Sequence, residues 1–277
     1  MKLRPIVKMH GGKRYLADWI RGHFPQNHED MIYVEPFCGA SSVFLNKPRA
    51  RIEILNDLDP GIVAILRITR DYPEEFMHEL EHVLYKEAFF KNAQDLEQMF
   101  ANQWRTEFTE MKLAVNEFIL RRMSRGGLKK AFAWSDRQRG GKPGDVNAWE
   151  SAIAQLLDVS DRLQGVKIFN EPAEDLLYLL DRPDVMAYCD PPYLPKTRRS
   201  KKTYDCEMSE EDHMKLGQVL GGFKGNVLLS GNPSPVYDTM YESWAMATKP
   251  IANHSSQQKV KQYRTEALWY NYTIETS

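Results

Sequence analysis

Cysteine is scarce in this chain: Cys38, Cys189 and Cys206 are the whole complement among 277 residues. Three widely separated cysteines make neither a disulfide framework nor a metal-ligand spacing, so a reducing, intracellular setting and no bound metal are expected. Long hydrophobic runs are missing as well. No stretch is long enough to span a bilayer, and "MKLRPIVKMHGGKRYLADW" lacks the apolar run of a signal peptide, so the expected location is cytoplasmic. An excess of one charge is also absent. With 37 Lys and Arg against 38 Asp and Glu, a uniformly basic coat is excluded, although local basic patches are not. No internal repeat is visible, which sets aside solenoid architectures. Two nucleotide signatures fail too. "VEPFCGASS" lacks the three-glycine fingerprint of a dinucleotide fold. "KMHGGKRYL" lacks the P-loop spacing, a preceding strand, and a Ser or Thr after Lys13, so nucleotide hydrolysis is not expected.

What is present is a run of short β-prone segments, each closed by a turn signal: 31–37, 51–57, 166–170, 185–189 and 226–231. Helix-like stretches separate several of them, an alternation that predicts a doubly wound, parallel α/β sheet. A late β-prone run, 266–272, is placed antiparallel to 242–251. The middle of the chain breaks this rhythm. From Pro73 to Arg122 it is helical in composition and acidic, with Phe89, Phe90, Phe100, Trp104 and Phe108 as packing residues. From Arg121 the charge reverses: "RRMSRGGLKKAFAWSDRQRGGKPGD" holds eight Lys and Arg against two Asp. The expected organisation is a core of 1–72 and 161–277 with an inserted helical lobe at 73–160.

Chemistry concentrates at the strand ends. "VEPFCGASS" puts a carboxylate and a small-residue turn after the first strand, where open α/β sheets bind ligands. Asp57 follows about 20 residues later, a spacing that suits hydrogen bonds from ribose hydroxyls. Asp59, immediately before Pro60, is the better helix cap. The strongest signal is Asp190-Pro191-Pro192-Tyr193. A carboxylate beside a proline-stiffened carbonyl offers two acceptors for the two hydrogens of an exocyclic amine, and Tyr193 can stack on a planar base. Three basic tracts complete the picture: Arg122, Arg125, Lys129, Lys130, Arg137 and Arg139; then Lys196, Arg198, Arg199, Lys201 and Lys202; then Lys259 and Lys261. Together they suit contacts with a phosphate backbone.

In that order, "KMHGGKRYL", "VEPFCGASSVFLN", "NDLD" and "YCDPPY" resemble the Dam-like DNA adenine N6-methyltransferases, including phage and restriction–modification members. The resemblance implies a class I S-adenosylmethionine-dependent methyltransferase fold, Rossmann-like and seven-stranded, with target recognition in the inserted lobe. It implies cofactor contacts at Met9, Lys13, Glu35, Pro36, Phe37, Gly39, Asp57 and Asp190, with Asp190, Pro191, Pro192 and Tyr193 as the catalytic turn. The implied substrate is double-stranded DNA, its adenine flipped from the helix, acted on by a monomer or weak dimer that a cognate restriction endonuclease could accompany.

Three positions depart from the family pattern. Met9 stands where an aromatic is common, and Gly39-Ala40-Ser41 where Gly-Ala-Gly is usual. Pro172 stands where an acid often follows the third strand, leaving Glu171 or Glu174 for the cofactor adenine. Rival expectations are methylation of RNA adenine, of DNA cytosine N4 or of a protein glutamine, and an inactive DNA-binding regulator of the same fold. By resemblance, cytosine enzymes carry Ser or Thr before the prolines and glutamine enzymes carry Asn, so Asp190 favours adenine.

Overall fold

Backbone hydrogen bonding between short apolar segments builds the fold. In a computed structural model of the chain, the described residues are 2–9, 11–100, 107–135, 137–194, 206–252 and 263–274. Trp104 and the basic residues Lys196, Arg198, Arg199, Lys201, Lys202, Lys259 and Lys261 lie outside them. In chain order the elements are α1 (Ala17–Arg21), β1 (Ile32–Glu35), β2 (Ile52–Asn56), α2 (Pro60–Asp71), α3 (Pro73–Glu81), α4 (Glu87–Phe100) and α5 (Glu107–Arg122). A two-stranded ribbon, β3 (Gln138–Arg139) and β4 (Lys142–Pro143), precedes α6 (Gly144–Ile153) and α7 (Leu156–Leu163). Then follow β5 (Lys167–Phe169), α8 (Ala173–Leu179), β6 (Val185–Cys189), α9 (Glu210–Gly221), β7 (Asn226–Gly231), α10 (Pro235–Met240), β8 (Ala245–Ala252) and β9 (Tyr263–Tyr270).

Seven strands form one sheet in the order β5-β2-β1-β6-β7-β9-β8. The β1–β2, β1–β6 and β6–β7 pairs are parallel, and β9 runs antiparallel to both β7 and β8. The sheet is thus mixed, parallel in its centre with an antiparallel edge, and each β-prone segment of the sequence supplies a strand. Every residue of β1 and β6 is buried, as continuous apolar runs require of central strands covered on both faces.

The chain divides into two compact units: residues 1–18, 39–47 and 57–170, and residues 19–38, 48–56 and 171–277. In the first, α2 packs against α5 and α7. Its start is set by Asp59, whose carboxylate accepts the N–H groups of Gly61 and Ile62, with Pro60 at the first helical position. Phe76, Phe90 and Phe118 are buried in this helical core, whereas Phe89 is half-buried. A buried ionic chain runs through it. Arg121 donates to both Glu117 and Asp59, and Lys129 reaches Glu97 and Glu117. Burial pushes the Glu117 carboxyl up, while Arg121 and Lys129 pull it back toward the ionised form. In the second unit α8 packs on α9, whose start is a reciprocal capping box between Ser209 and Asp212.

Ser41 is the one conformational anomaly of the first-strand turn. Its φ of 51° lies in the left-handed region, it is 1% exposed, and its hydroxyl has no hydrogen-bond partner among the described residues. The left-handed region costs a non-glycine residue about 1–2 kcal/mol. A buried orphan hydroxyl costs about 1–3 kcal/mol more. Glycine at that position would forfeit only about 0.4–1 kcal/mol through its freer unfolded chain. Ser41→Gly is therefore expected to stabilise the protein by about 1 kcal/mol and to raise Tm by roughly 2–4 °C. A thermal melt of the two proteins checks this; an unchanged or lower Tm would refute the strain assignment.

Candidate active site

Each unit carries its own share of the residues singled out above. In the first unit, Gly39 turns with φ 47°, and an added Cβ there would sit 3.3 Å from the Met9 sulfur. Met9 thus packs its thioether on the glycine of the turn, a soft contact where an aromatic ring is the family habit. Asp57 is half-buried just past the end of β2. Its Oδ2 accepts the Gly39 N–H at 2.7 Å and its Oδ1 accepts the Asp59 N–H at 2.9 Å. Asp57 therefore shapes the Gly39 turn, and each of its oxygens keeps a second lone pair. Burial raises its carboxyl to about 6, against the pull of those two N–H bonds and of Arg121. Lys13 is buried, and its ammonium donates to the Gly11 carbonyl at 3.1 Å.

Beside this turn, and within the same unit, lies a basic cleft of about 360 Å³ lined by Arg4, Lys8, Met9, Arg14, Ser42 and Arg122. Lys8 donates to the Arg122 carbonyl at 2.8 Å and lies 3.7 Å from Asp145. Burial lowers the Lys8 ammonium, with Asp145 opposing, and lowers the Arg122 guanidinium to about 10, which leaves it charged at neutral pH. Arg122 also donates to the Ala148 carbonyl at 2.8 Å, so it is held by its own unit at the cleft wall. Lys129, expected among the phosphate contacts, has its ammonium engaged with Glu97 and Glu117 and its side chain only 11% exposed. Arg125, Lys130 and Arg137 are exposed, and Arg139 sits on β3. The Gly126-Gly127 bend between them is steric in origin: at Gly127, φ 72°, a Cβ would lie 2.0 Å from the Lys8 carbonyl oxygen.

In the second unit, Glu35 closes β1 and accepts the Tyr33 hydroxyl at 2.6 Å, fully buried. Pro36 is buried and Phe37 half-buried. The Pro36 carbonyl accepts from Asn56 Nδ2 at 2.8 Å. Of the two acids weighed after the third strand, Glu171 is exposed and Glu174 is half-buried in the first turn of α8. Asp190 follows directly on β6 and is half-buried. Its Oδ1 accepts the Ser230 hydroxyl at 2.8 Å, and the Tyr188 hydroxyl lies 3.2 Å from the same serine oxygen. Because the serine proton points to Asp190, the phenol must be the donor of the second bond. Pro191 is buried, Pro192 half-buried, and Tyr193 buried with its hydroxyl donating to the buried carboxylate of Glu266 on β9. Burial, then the charges of Asp190 and Glu266, push the Tyr193 phenol well above its ordinary range, so it remains a proton donor.

Ser230 and Glu266 escaped the sequence reading. Their segments read only as strands, and the alternation of a polar residue into an otherwise apolar run was the available signal. Among the described residues no group of three or more His, Cys, Asp and Glu is arranged to hold a metal ion, and no helix is long and apolar enough to cross a membrane.

The DNA adenine methylase of Escherichia coli K12 is 28% identical over 195 residues, which is 70% of this chain and 66% of that protein, just under two thirds of its length. The DNA adenine methylase of Salmonella typhi is 28% identical over 247 residues, covering 87% of this chain and 85% of that one. A solved rRNA methyltransferase from Streptomyces viridochromogenes superposes over 96% of this chain and 89% of its own, with a TM-score of 0.38 and 11% identity. The family model for D12 class N6 adenine-specific DNA methyltransferases matches residues 10–263, from just after Met9 to the start of β9, and the chain belongs to that family.

Proposed function

We propose that this protein methylates the N6 amine of adenine at a specific sequence in double-stranded DNA, with S-adenosylmethionine as methyl donor. The observation that carries this reading is the Asp190-Pro191-Pro192-Tyr193 turn at the end of β6, its acid held by a buried serine, in a chain of the D12 family. S-adenosylmethionine supplies an electrophilic methyl on a sulfonium; the C–S bond breaks with its electrons left on sulfur as the amine nitrogen forms the new C–N bond. Asp190 and the Pro191 carbonyl accept the two amine hydrogens, which turns the nitrogen lone pair toward the methyl. Tyr193 stacks on the flipped base. The methylated nitrogen carries a positive charge until one proton leaves, and the Asp190 carboxylate is placed to stabilise that charge and accept the proton.

The residues at hand fit the cofactor's chemistry. The missing Cβ of Gly39 opens the turn, the Met9 sulfur offers a polarizable surface, and Asp57 offers acceptor lone pairs for ribose hydroxyls. Lys13, Glu35, Pro36 and Phe37 complete the proposed cofactor set. The segment 73–160 is proposed to carry target recognition. Its exposed Arg125, Lys130 and Arg137 serve as phosphate contacts, joined by Arg122, Arg139 and the basic residues of 196–202 and 259–261. A monomer suffices for this chemistry.

Incubation with duplex DNA and labelled cofactor, followed by digestion to nucleosides and mass spectrometry, should yield N6-methyladenine. Label found only in cytosine, only in RNA, or nowhere despite folded protein would sink the reading. Asp190→Ala is expected to reduce methyl transfer to background while cofactor affinity in calorimetry changes little.

Asp57 gives a pH signature. With its acid raised to about 6, the fold itself favours the protonated form. Stability from this group is present below its unfolded value and lost as pH rises through about 6. Ribose hydroxyls need the opposite, ionised form. Cofactor affinity is therefore expected to be full above neutrality and to weaken by roughly tenfold one pH unit below that acid's value. Asp57→Asn, which would turn an amide N–H against the Gly39 or Asp59 N–H, should weaken binding and flatten the profile. Calorimetric titrations from pH 5 to 8 read both effects.

A further inference from the structure

The catalytic turn has an unusual mechanical problem. Pro191 and Pro192 stiffen it but have no N–H groups, so two of its four residues cannot be pinned by backbone donation. Its two functional side chains must be held another way. Each makes a hydrogen bond to a buried polar side chain of another strand of the sheet. Asp190 Oδ1 accepts the hydroxyl of Ser230, a residue of β7 that is 0% exposed. The Tyr193 hydroxyl donates to Glu266, a residue of β9 that is 1% exposed.

We infer that Ser230 and Glu266 are positioning residues for methyl transfer: Ser230 sets the rotamer of the Asp190 carboxylate, and Glu266 sets the plane of the Tyr193 ring. The inference rests on the proposed role of the turn. Its physical basis is the cost of placing these groups where they are. A carboxylate buried in a strand is expensive unless it is hydrogen-bonded, and an apolar residue would suit that position better if packing were the only demand. Glu266 faces Lys249 across the β8–β9 ladder by register, and its carboxylate turns to the tyrosine.

The serine side has the same logic. Tyr188, itself buried, donates to Ser230, which orients the serine hydroxyl so that its one proton goes to Asp190. The two holds come from adjacent strands. Gly231, the residue after Ser230, pairs with Ala267, the residue after Glu266, so the sheet fixes the spacing between them. Asp190 and Tyr193 are thereby referred to one rigid frame, which is what alignment of an amine between an acceptor and a stacking ring demands.

The test uses the full chain, duplex DNA and S-adenosylmethionine under single-turnover conditions, with calorimetric affinities and thermal melts for each variant. Ser230→Ala and Glu266→Ala should each slow the methyl-transfer step by about ten- to a hundredfold, the range of a lost hydrogen bond to a charged group. Affinities for cofactor and DNA should stay within about twofold, since no ground-state contact is removed. Glu266→Gln keeps an acceptor oxygen for the phenol and should retain most of the rate, while Tyr193→Phe combined with Glu266→Ala should be little worse than Glu266→Ala alone.

A Glu266→Gln rate as low as that of Glu266→Ala would overturn the inference, as would losses confined to affinity. If Glu266→Ala does not fold, the Gln and Tyr193→Phe variants still decide between these outcomes. Asp190→Ala serves as the reference. Should it turn over normally, the proposed role of the turn fails; should it be silent while Ser230→Ala and Glu266→Ala run at the parent rate, only the clamp fails.

Discussion

Backbone polar groups at the buried ends of strands must find partners, and in this protein Asn56 supplies several of them at once. It is 0% exposed at the end of β2. Its amide donates to the carbonyls of Pro36 at 2.8 Å and Glu171 at 3.0 Å, its Oδ1 accepts the Glu171 N–H at 3.0 Å, and its own carbonyl accepts the Cys38 N–H at 2.8 Å. Each such group left unmet would cost about 1–3 kcal/mol. One side chain therefore fixes where the chain leaves β1 and where the Glu171 loop passes. The Gly39 turn, the Asp57 carboxylate that staples it and the start of α2 all follow within a few residues of these fixed points. Asparagine suits the position because it has two donors and an acceptor in one plane; aspartate would have no donor for the carbonyls, and leucine would satisfy nothing.

The acids near the strand ends are separated into tasks by what donates to them. Asp59 takes the helix N–H groups and Arg121, and so belongs to the framework. Asp57 takes only two backbone N–H groups and is left with a raised acid value, which suits a group that binds a ligand better than one that stabilises a fold. Asp190 takes a serine hydroxyl, a neutral donor that orients without neutralising. The cations divide in the same way. Arg121 and Lys129 are committed to the buried chain with Asp59, Glu117 and Glu97, where removal of any one partner would strand a charge. Arg125, Lys130 and Arg137 are exposed instead, and a role toward phosphate suits them.

Much of this was legible in the sequence because it was local. Each of β1, β2, β5, β6 and β7 was a short β-prone run with a turn at its end, the cap at Asp59 was announced by Pro60, and the acid-proline turn stood out by composition. The misses share a cause. A basic tract is read from sequence as surface, yet Lys129 folds back on Glu97, 32 residues away. The Glu117–Arg121 spacing was a helical i,i+4 pair and could have flagged that the tract begins inside the core. Ser41 looked like a harmless small residue, since φ is invisible in composition. Ser230 and Glu266 meet their partners across 40 and 73 residues, and only the strand order brings them there.

The same strand order explains why the turn can be both rigid and built from prolines. A loop with free N–H groups can be held by its own backbone, but then its carbonyls and side chains are drawn into the same network. Two prolines remove those donors and pass the work of orientation to other strands of the sheet. Parallel β7 contributes a hydroxyl to the acid, and antiparallel β9 contributes a carboxylate to the phenol. The antiparallel strand is thus more than an edge cover for the sheet. Inserted between β7 and β8, it brings a polar residue of the last strand level with the turn after the fourth core strand, and the acid-proline turn is referenced from strands that follow it in the chain rather than from within itself.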